Sequence, residues 1–75
     1  MNKEERRYKK EIEVFGKKLK GLREGRNLSQ LDLELVSGMN RTEISRIENG
    51  KKNIEFFTIV KLAEALEIEL SDFFK

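Results

Sequence analysis

The 75-residue chain contains no cysteine, no histidine and no proline, and only five glycines. Without cysteine it can form neither a disulfide nor a thiolate metal site, and without histidine it lacks the commonest general base and metal ligand. It has no glycine-rich phosphate loop, no apolar run long enough to span a bilayer and no recognisable signal peptide. These absences predict a non-enzymatic protein without metal or cofactor, located in the reducing cytoplasm.

The charged residues are distributed unevenly along the chain. Residues 1–29 hold ten Lys or Arg and five Glu, residues 30–53 hold four of each sign, and residues 54–75 hold two Lys and five acidic residues. The net charge of +2 therefore conceals a basic N-terminal part and an acidic C-terminal part. A basic half in a small helical domain indicates a polyanionic partner; a solvated helix surface is the alternative.

Two stretches show the periodicity of amphipathic helices, and the scarcity of glycine and proline favours an all-α domain over residues 1–75. The first predicts a helix from about Glu5 to Glu24, ended by Gly25 or Asn27, and the second predicts one from about Glu55 to Leu66. Gly21 is a candidate for a close helix crossing. A last short turn, capped by Ser71, is expected over residues 72–74. The apolar positions are Tyr8, Ile12, Phe15, Leu19 and Leu22 in the first stretch, and Ile54, Phe56, Ile59, Leu62, Ala63 and Leu66 in the second.

Residues 1–11 have two interpretations. Tyr8 continues the apolar stripe and glutamates alternate with the bases, which favours an N-terminal extension of helix 1. The alternative is a flexible basic arm that reaches into a DNA groove, with Arg6, Arg7, Lys9 and Lys10 as its cations.

Residues 29–50 predict two short helices joined by a tight turn. Ser29 caps helix 2 in a capping box with Asp32, and Gly38 supplies the positive φ of the turn. Asn40 caps helix 3, which runs to about Asn49 and is stopped by Gly50. Helix 3 carries polar groups on one side and isoleucines on the other, as a helix must if it is to enter the major groove from an anchored core.

Three blocks at the right spacing resemble the Xre/Cro/C1 helix-turn-helix family of phage-repressor-type domains. They are LREGRNLSQ, SGMNRTEISRIENGKKN and VKLAEALEIELSDFF, and the resemblance as a whole covers most of the chain, from about residue 15 to residue 74. The resemblance extends to restriction-modification controller proteins. It implies a compact five-helix, lambda-repressor-like DNA-binding domain of prokaryotic or phage origin, with the helix-turn-helix motif at helices 2 and 3.

The resemblance also implies roles for individual residues. Base reading falls to Arg41, Thr42, Ser45 and Arg46 at the start of helix 3, a role suited to the bidentate hydrogen bonds that arginine forms with guanine. Phosphate contacts are expected from Gln30, Asn40, Asn49, Lys51, Lys52 and Lys17. An internal ion pair is expected between Arg23 and Glu48, although a phosphate contact by Arg23 is also compatible with the pattern.

The chain departs from the family at four places. Glu34 stands where a small alanine is preferred, and Ile54 replaces a frequent proline. Glu67 stands where a glycine usually ends helix 4, so that it is either held at positive φ or the turn differs. The fourth departure is a set of apolar residues where the family is often polar, namely Leu31, Leu35 and Val36.

The resemblance implies a sequence-specific transcriptional regulator, either a repressor or an activator, that binds double-stranded DNA as a homodimer on a palindromic operator. In similar small regulators a two-fold dimer forms through the surface that here carries Phe57, Val60 and Phe74; the alternative is that these side chains complete the core. A second functional hypothesis is an antitoxin-type module whose apolar surface binds an unlike protein partner and which regulates its own gene through DNA binding.

Overall fold

A computed structural model describes residues 1–75 and contains four α-helices and one 3-10 turn. The helices are α1 (Lys3–Gly25), α2 (Gln30–Ser37), α3 (Arg41–Glu48) and α4 (Phe56–Leu66), and the 3-10 turn is Leu70–Phe74. The all-α prediction is confirmed, but the expected fifth helix is only this 3-10 turn. None of the four helices combines the length and hydropathy needed to cross a bilayer.

The first helix begins earlier than its apolar stripe predicts. Asn2 caps it, with its side chain accepting from the N–H of Glu5 (2.8 Å) while the Glu5 carboxylate accepts from the N–H of Asn2 (3.1 Å). This capping box explains why residues 3–11 are helical in the structure and do not form an extended arm. At the other end, Asn27 and not Gly25 adopts the left-handed conformation, with φ of 59°.

The core lies where α1 packs on α3, where α2 packs on α3 and α4, and where the 3-10 turn packs on α1 and α4. Three positions of the apolar stripes are not part of it: Tyr8 is exposed and Ile12 is half-buried in the N-terminal part of α1, and Phe56 is exposed at the start of α4. All three precede the first buried apolar residue of their helix. The buried apolar residues are Phe15, Leu19, Leu33, Met39, Ile44, Ile47, Leu62, Ala63, Leu66 and Phe73.

Gly16 is the glycine at which α1 and α3 approach closely. A Cβ atom at this position would lie 2.4 Å from the carbonyl oxygen of Ile47 and 2.7 Å from that of Glu48. The prediction for Gly21 was wrong, since a Cβ there would meet no atom within 4 Å. The absence of a side chain at Gly16 allows the C-terminal end of α3 to rest directly on α1.

The ends of α4 and of the 3-10 turn show how the acidic C-terminal part is built. Glu67 ends α4 at a positive φ of 55°. Of the two possibilities predicted for this position, a glutamate held at positive φ and a different turn, the structure has the first. The 3-10 turn is capped at Glu69 and not at Ser71, because the Asp72 carboxylate accepts from the N–H of Glu69 (2.9 Å). A hydrogen bond from the Lys75 ammonium (2.6 Å) lowers the pKa of Asp72.

Candidate nucleic-acid interface

The N-terminal end of α2 presents two free backbone donors to solvent. Ser29 and Asp32 form the predicted capping box, with bonds of 3.0 Å to the N–H of Asp32 and 2.9 Å from the N–H of Ser29. The N–H groups of Gln30 and Leu31 have no acceptor in the protein. Free first-turn N–H groups and the positive end of the helix dipole together favour an anion such as a phosphate.

A buried ion pair lies behind this end of α2. The Arg23 guanidinium donates to both carboxylate oxygens of Glu48, at 2.7 and 3.0 Å, and to the carbonyl of Leu28 at 2.7 Å. Both charged side chains are almost completely buried. Hydrogen bonding to Glu48 raises the pKa of Arg23. The pair joins α1, the loop before α2 and the end of α3, so it sets how α2 and α3 are placed against each other.

Gln30 is also part of this network. Its side-chain amide donates to the Glu48 carboxylate at 3.0 Å and is partly buried. The amide nitrogen is therefore engaged inside the protein, whereas sequence reasoning assigned the side chain to a phosphate. The contact joins residues 18 positions apart, so it could not be read from local spacing.

In the turn between α2 and α3, the backbone and side chain of Glu34 accept hydrogen bonds at both ends of the turn. The carbonyl of Glu34 accepts from the N–H of Gly38 (2.9 Å), which has a φ of 74°, and its carboxylate accepts from the N–H of Arg41 (2.7 Å). The Asn40 side chain accepts from the N–H of Thr42 (2.7 Å). The first two N–H groups of α3 are thus bonded within the protein, in contrast to those of α2.

The faces of α3 separate as its sequence predicts. Ile44 and Ile47 have no exposed surface, whereas Arg41 and Thr42 are exposed. Arg46 is also exposed, and Ser45 is half-buried between the two faces. The helix is therefore anchored by its isoleucines and presents a strong cationic donor and a hydroxyl to solvent, groups that suit base edges in a major groove.

Lysines and asparagine surround the C-terminal end of α3. Lys51 and Lys17 are exposed, and Asn49 bonds weakly to the hydroxyl of Ser45 at 3.4 Å. Lys52 forms an ion pair of 3.4 Å with Glu43. A phosphate would therefore meet Lys51 as an unpaired cation, but would have to compete with Glu43 for Lys52.

The apolar residues predicted at an interface are mostly exposed. Phe57 is 71% exposed, Val60 is 41% exposed and Phe74 is 65% exposed, so they do not complete the core. The ring of Phe74 lies 6.0 Å from that of Phe15. Sequence reasoning did not include Phe56, which is 67% exposed beside Phe57. The sequence signal for Phe56 as a further exposed residue is its place beside Phe57 at the start of α4, where a helix has not yet reached the core.

Comparison with known proteins shows the same fold and motif. Residues 19–73 match the family model described as helix-turn-helix (HTH_3). Over 58 residues the chain is 50% identical to the HTH-type transcriptional repressor RghR of Bacillus subtilis, covering 76% of this chain but only 43% of that protein. It is 43% identical over 61 residues to the control protein C.MunI of a Mycoplasma species, covering 80% of this chain and 82% of that one.

The fold is also similar to that of a solved structure. The restriction-modification controller protein C.AhdI of Aeromonas hydrophila superposes with a TM-score of 0.81 at 36% identity, covering 84% of this chain and 96% of that one. Because the family model spans both helices of the motif and the geometry at α2 and α3 agrees with it, the assignment does not rest on sequence similarity alone. The chain belongs to the Xre-like HTH_3 helix-turn-helix family of DNA-binding transcriptional regulators.

Proposed function

We propose that this protein regulates transcription by binding a specific double-stranded DNA sequence as a homodimer, with α3 in the major groove of each half of a palindromic operator. The observation that carries the proposal is the division of α3 into two faces. Ile44 and Ile47 anchor it in the core, and Arg41 and Thr42 are free to reach base edges. Regulation then follows from occupancy of the operator.

The phosphate contacts of the proposal surround α3. The free N–H groups of Gln30 and Leu31 favour one phosphate, and Lys51 and Asn49 lie where a second would pass the far end of α3. Such contacts orient the protein without reading sequence. Lys17, which is exposed on α1, adds positive charge, and Lys52 does so only where a phosphate displaces its partner Glu43.

The homodimer is supported by the exposed side chains of Phe57, Val60 and Phe74 together with the size of the domain. A single module of this size buries little DNA surface, and a two-fold dimer doubles it by placing two recognition helices about 34 Å apart. The controller-protein and repressor relatives make this regulatory role the natural expectation.

The direct test is a selection of bound duplexes from a random DNA pool at about 150 mM salt. The proposal predicts an enriched inverted repeat whose half-sites are about ten base pairs apart. Salt-sensitive binding without an enriched motif would show that the basic surface is only electrostatic and would overturn the proposal.

Two substitutions then separate base contacts from phosphate contacts. Arg41→Ala is expected to weaken binding to the selected site by about 1–3 kcal/mol and to relax the preference at one base pair. Lys51→Ala is expected to weaken all sequences alike and to reduce the salt slope by about one. If Arg41→Ala left both the affinity for the selected site and the base preference unchanged, α3 would not be the helix that reads the bases.

A second candidate function is favoured by the outer face of α2, where Leu31, Leu35 and Val36 are exposed. An antitoxin-type module would bind an unlike protein through such a face. Co-expression with the products of adjacent genes tests this, because it predicts a complex of fixed stoichiometry that Leu35→Lys disrupts while DNA binding is retained.

A further inference from the structure

We infer that Glu34 is a specificity-determining residue. It fixes the N-terminal end of α3, where Arg41 and Thr42 lie, relative to α2, and it prevents that end from binding a phosphate. The inference rests on the proposed function and deepens it. Glu34 is a departure from the related family, which prefers alanine at this position, so no role is carried over from the family. The role is derived from the contacts of its carboxylate and of its backbone.

The first step is geometric. Glu34 brackets the turn from both sides, because its carbonyl closes α2 at Gly38 (2.9 Å) and its carboxylate opens α3 at Arg41 (2.7 Å). The residue that it holds, Arg41, is the exposed arginine at the first position of α3. A hydrogen bond from an N–H to a carboxylate is stronger and shorter than one to a neutral group. The backbone of Arg41 is thereby fixed relative to α2.

The second step concerns charge. A helix N-terminus attracts anions through its free N–H groups and its dipole. At α3 the Glu34 carboxylate already occupies the Arg41 N–H, and the Asn40 side chain occupies the Thr42 N–H. A phosphate at this end would find only the N–H of Glu43 without an acceptor, and it would meet the negative charge of Glu34. Docking on the DNA backbone through the end of α3 is therefore disfavoured relative to reading by the Arg41 and Thr42 side chains.

Two variants separate the hydrogen bond from the charge. Glu34→Gln retains an acceptor oxygen and removes the charge, whereas Glu34→Ala removes both. In each, affinity for non-specific duplex is expected to rise about twofold, the effect of one charge about 10 Å from a phosphate in water. Discrimination at the base pair that Arg41 contacts is expected to fall about fivefold in Glu34→Ala and to be retained in Glu34→Gln.

Glu4 provides a matched control because it is exposed in the first turn of α1, and its side chain makes no hydrogen bond or ion pair. Glu4→Ala removes the same charge twelve residues before Gly16, where α1 meets α3, so it is expected to leave base discrimination unchanged. Circular dichroism at the binding temperature establishes that each variant is folded. A loss of thermal stability in Glu34→Ala with an unaltered base preference would make Glu34 a structural cap only and would overturn the inference. Equal loss of discrimination in Glu34→Gln and Glu34→Ala would overturn it as well.

Amide hydrogen exchange of the protein alone separates this inference from the proposed function. The N–H of Arg41 is expected to exchange about tenfold faster in Glu34→Ala than in the parent protein and to remain protected in Glu34→Gln. If the parent selected no DNA motif, the proposed function would fail, and the exchange rate would still decide whether Glu34 holds the end of α3. Unchanged exchange in Glu34→Ala would refute the inference whatever the DNA data showed.

Discussion

The two helices of the motif have equal lengths of eight residues, but their N-terminal ends are finished in opposite ways. At α2 a reciprocal capping box satisfies Ser29 and Asp32 and leaves the N–H groups of Gln30 and Leu31 open. At α3 two acceptors from different residues, Glu34 and Asn40, occupy the first two N–H groups. The end of α2 is thus open to an anion through two N–H groups, whereas the end of α3 keeps only the N–H of Glu43 and carries a carboxylate beside it.

The difference shows how two similar helices are suited to different parts of a duplex. Under the proposed function, the open end of α2 faces a phosphate, where backbone donors are useful and sequence is irrelevant. At the end of α3 most of the backbone donors are occupied, so its side chains are the main groups left to interact, and side chains are what distinguish one base pair from another. The contrast therefore separates orientation on the DNA from reading of the sequence.

The largest predicted effect comes from removing the ion pair that places the open end of α2. Glu48→Ala leaves the Arg23 guanidinium buried without its carboxylate, and it also removes the acceptor of Gln30. We expect a loss of about 3–5 kcal/mol in the free energy of unfolding, measured by urea denaturation. The double variant Arg23→Met/Glu48→Met is the control, because replacing both charges by apolar groups is expected to cost far less. Equal losses in the two proteins would mean that packing and not the buried charge determines the effect.

Gly16→Ala tests how closely the far end of α3 must rest on α1. The new Cβ would lie 2.4 Å from the backbone oxygen of Ile47, which cannot rotate away. We expect a loss of about 1–3 kcal/mol in the free energy of unfolding because the helices must separate. Gly21→Ala, on the same helix but in open space, is expected to stabilise by about 0.5–1 kcal/mol. A neutral Gly16→Ala would show that α3 is free to shift on α1.

The local features of the motif could be predicted from the sequence because they depend on residues a few positions apart. Ser29 with Asp32, Gly38, Asn40 and Gly50 act where the pattern places them, since caps and turns are decided within one helical turn. The burial of one face of α3 follows from its period in the same way.

Most of the errors concern contacts between distant parts of the chain; the exception is the cap of the 3-10 turn, which is Glu69 and not Ser71. Whether Gly16 or Gly21 meets α3 depends on how the helices dock, and both glycines look alike in sequence. The sequence marks Glu34 as a departure from the family, but the partner of its carboxylate, the N–H of Arg41, depends on the geometry of the turn and could not be named from the sequence. The inward contact from Gln30 to Glu48 spans 18 residues and was missed for the same reason.

The capping side chains offer a smaller and more specific test of the two ends. Ser29→Ala and Asn40→Ala each remove one side-chain acceptor, from the N–H of Asp32 and of Thr42 respectively. Each is expected to cost about 1 kcal/mol in the free energy of unfolding. Their effects on DNA binding should differ, because Ser29→Ala weakens all sequences alike and Asn40→Ala reduces discrimination between bases. Competition binding with specific and random duplexes measures both. If Ser29→Ala changed the base preference more than Asn40→Ala did, the N-terminal end of α2, and not that of α3, would be the one that affects sequence reading.

The smallest predicted effect concerns the charge in the capping box of α2. Hydrogen bonds from the N–H and the hydroxyl of Ser29 lower the pKa of Asp32 below its ordinary value of 3.8. A carboxyl whose pKa is lower in the folded state stabilises that state above its unfolded pKa, and the contribution is lost as the pH falls through the folded value. Asp32→Asn keeps an acceptor oxygen but cannot ionise, so it should be less stable than the parent at pH 7. The difference in thermal midpoint should shrink as the pH falls below about 4. A constant difference between pH 7 and pH 2.5 would show that the ionised carboxylate contributes nothing to the open end of α2, and that its geometry alone matters.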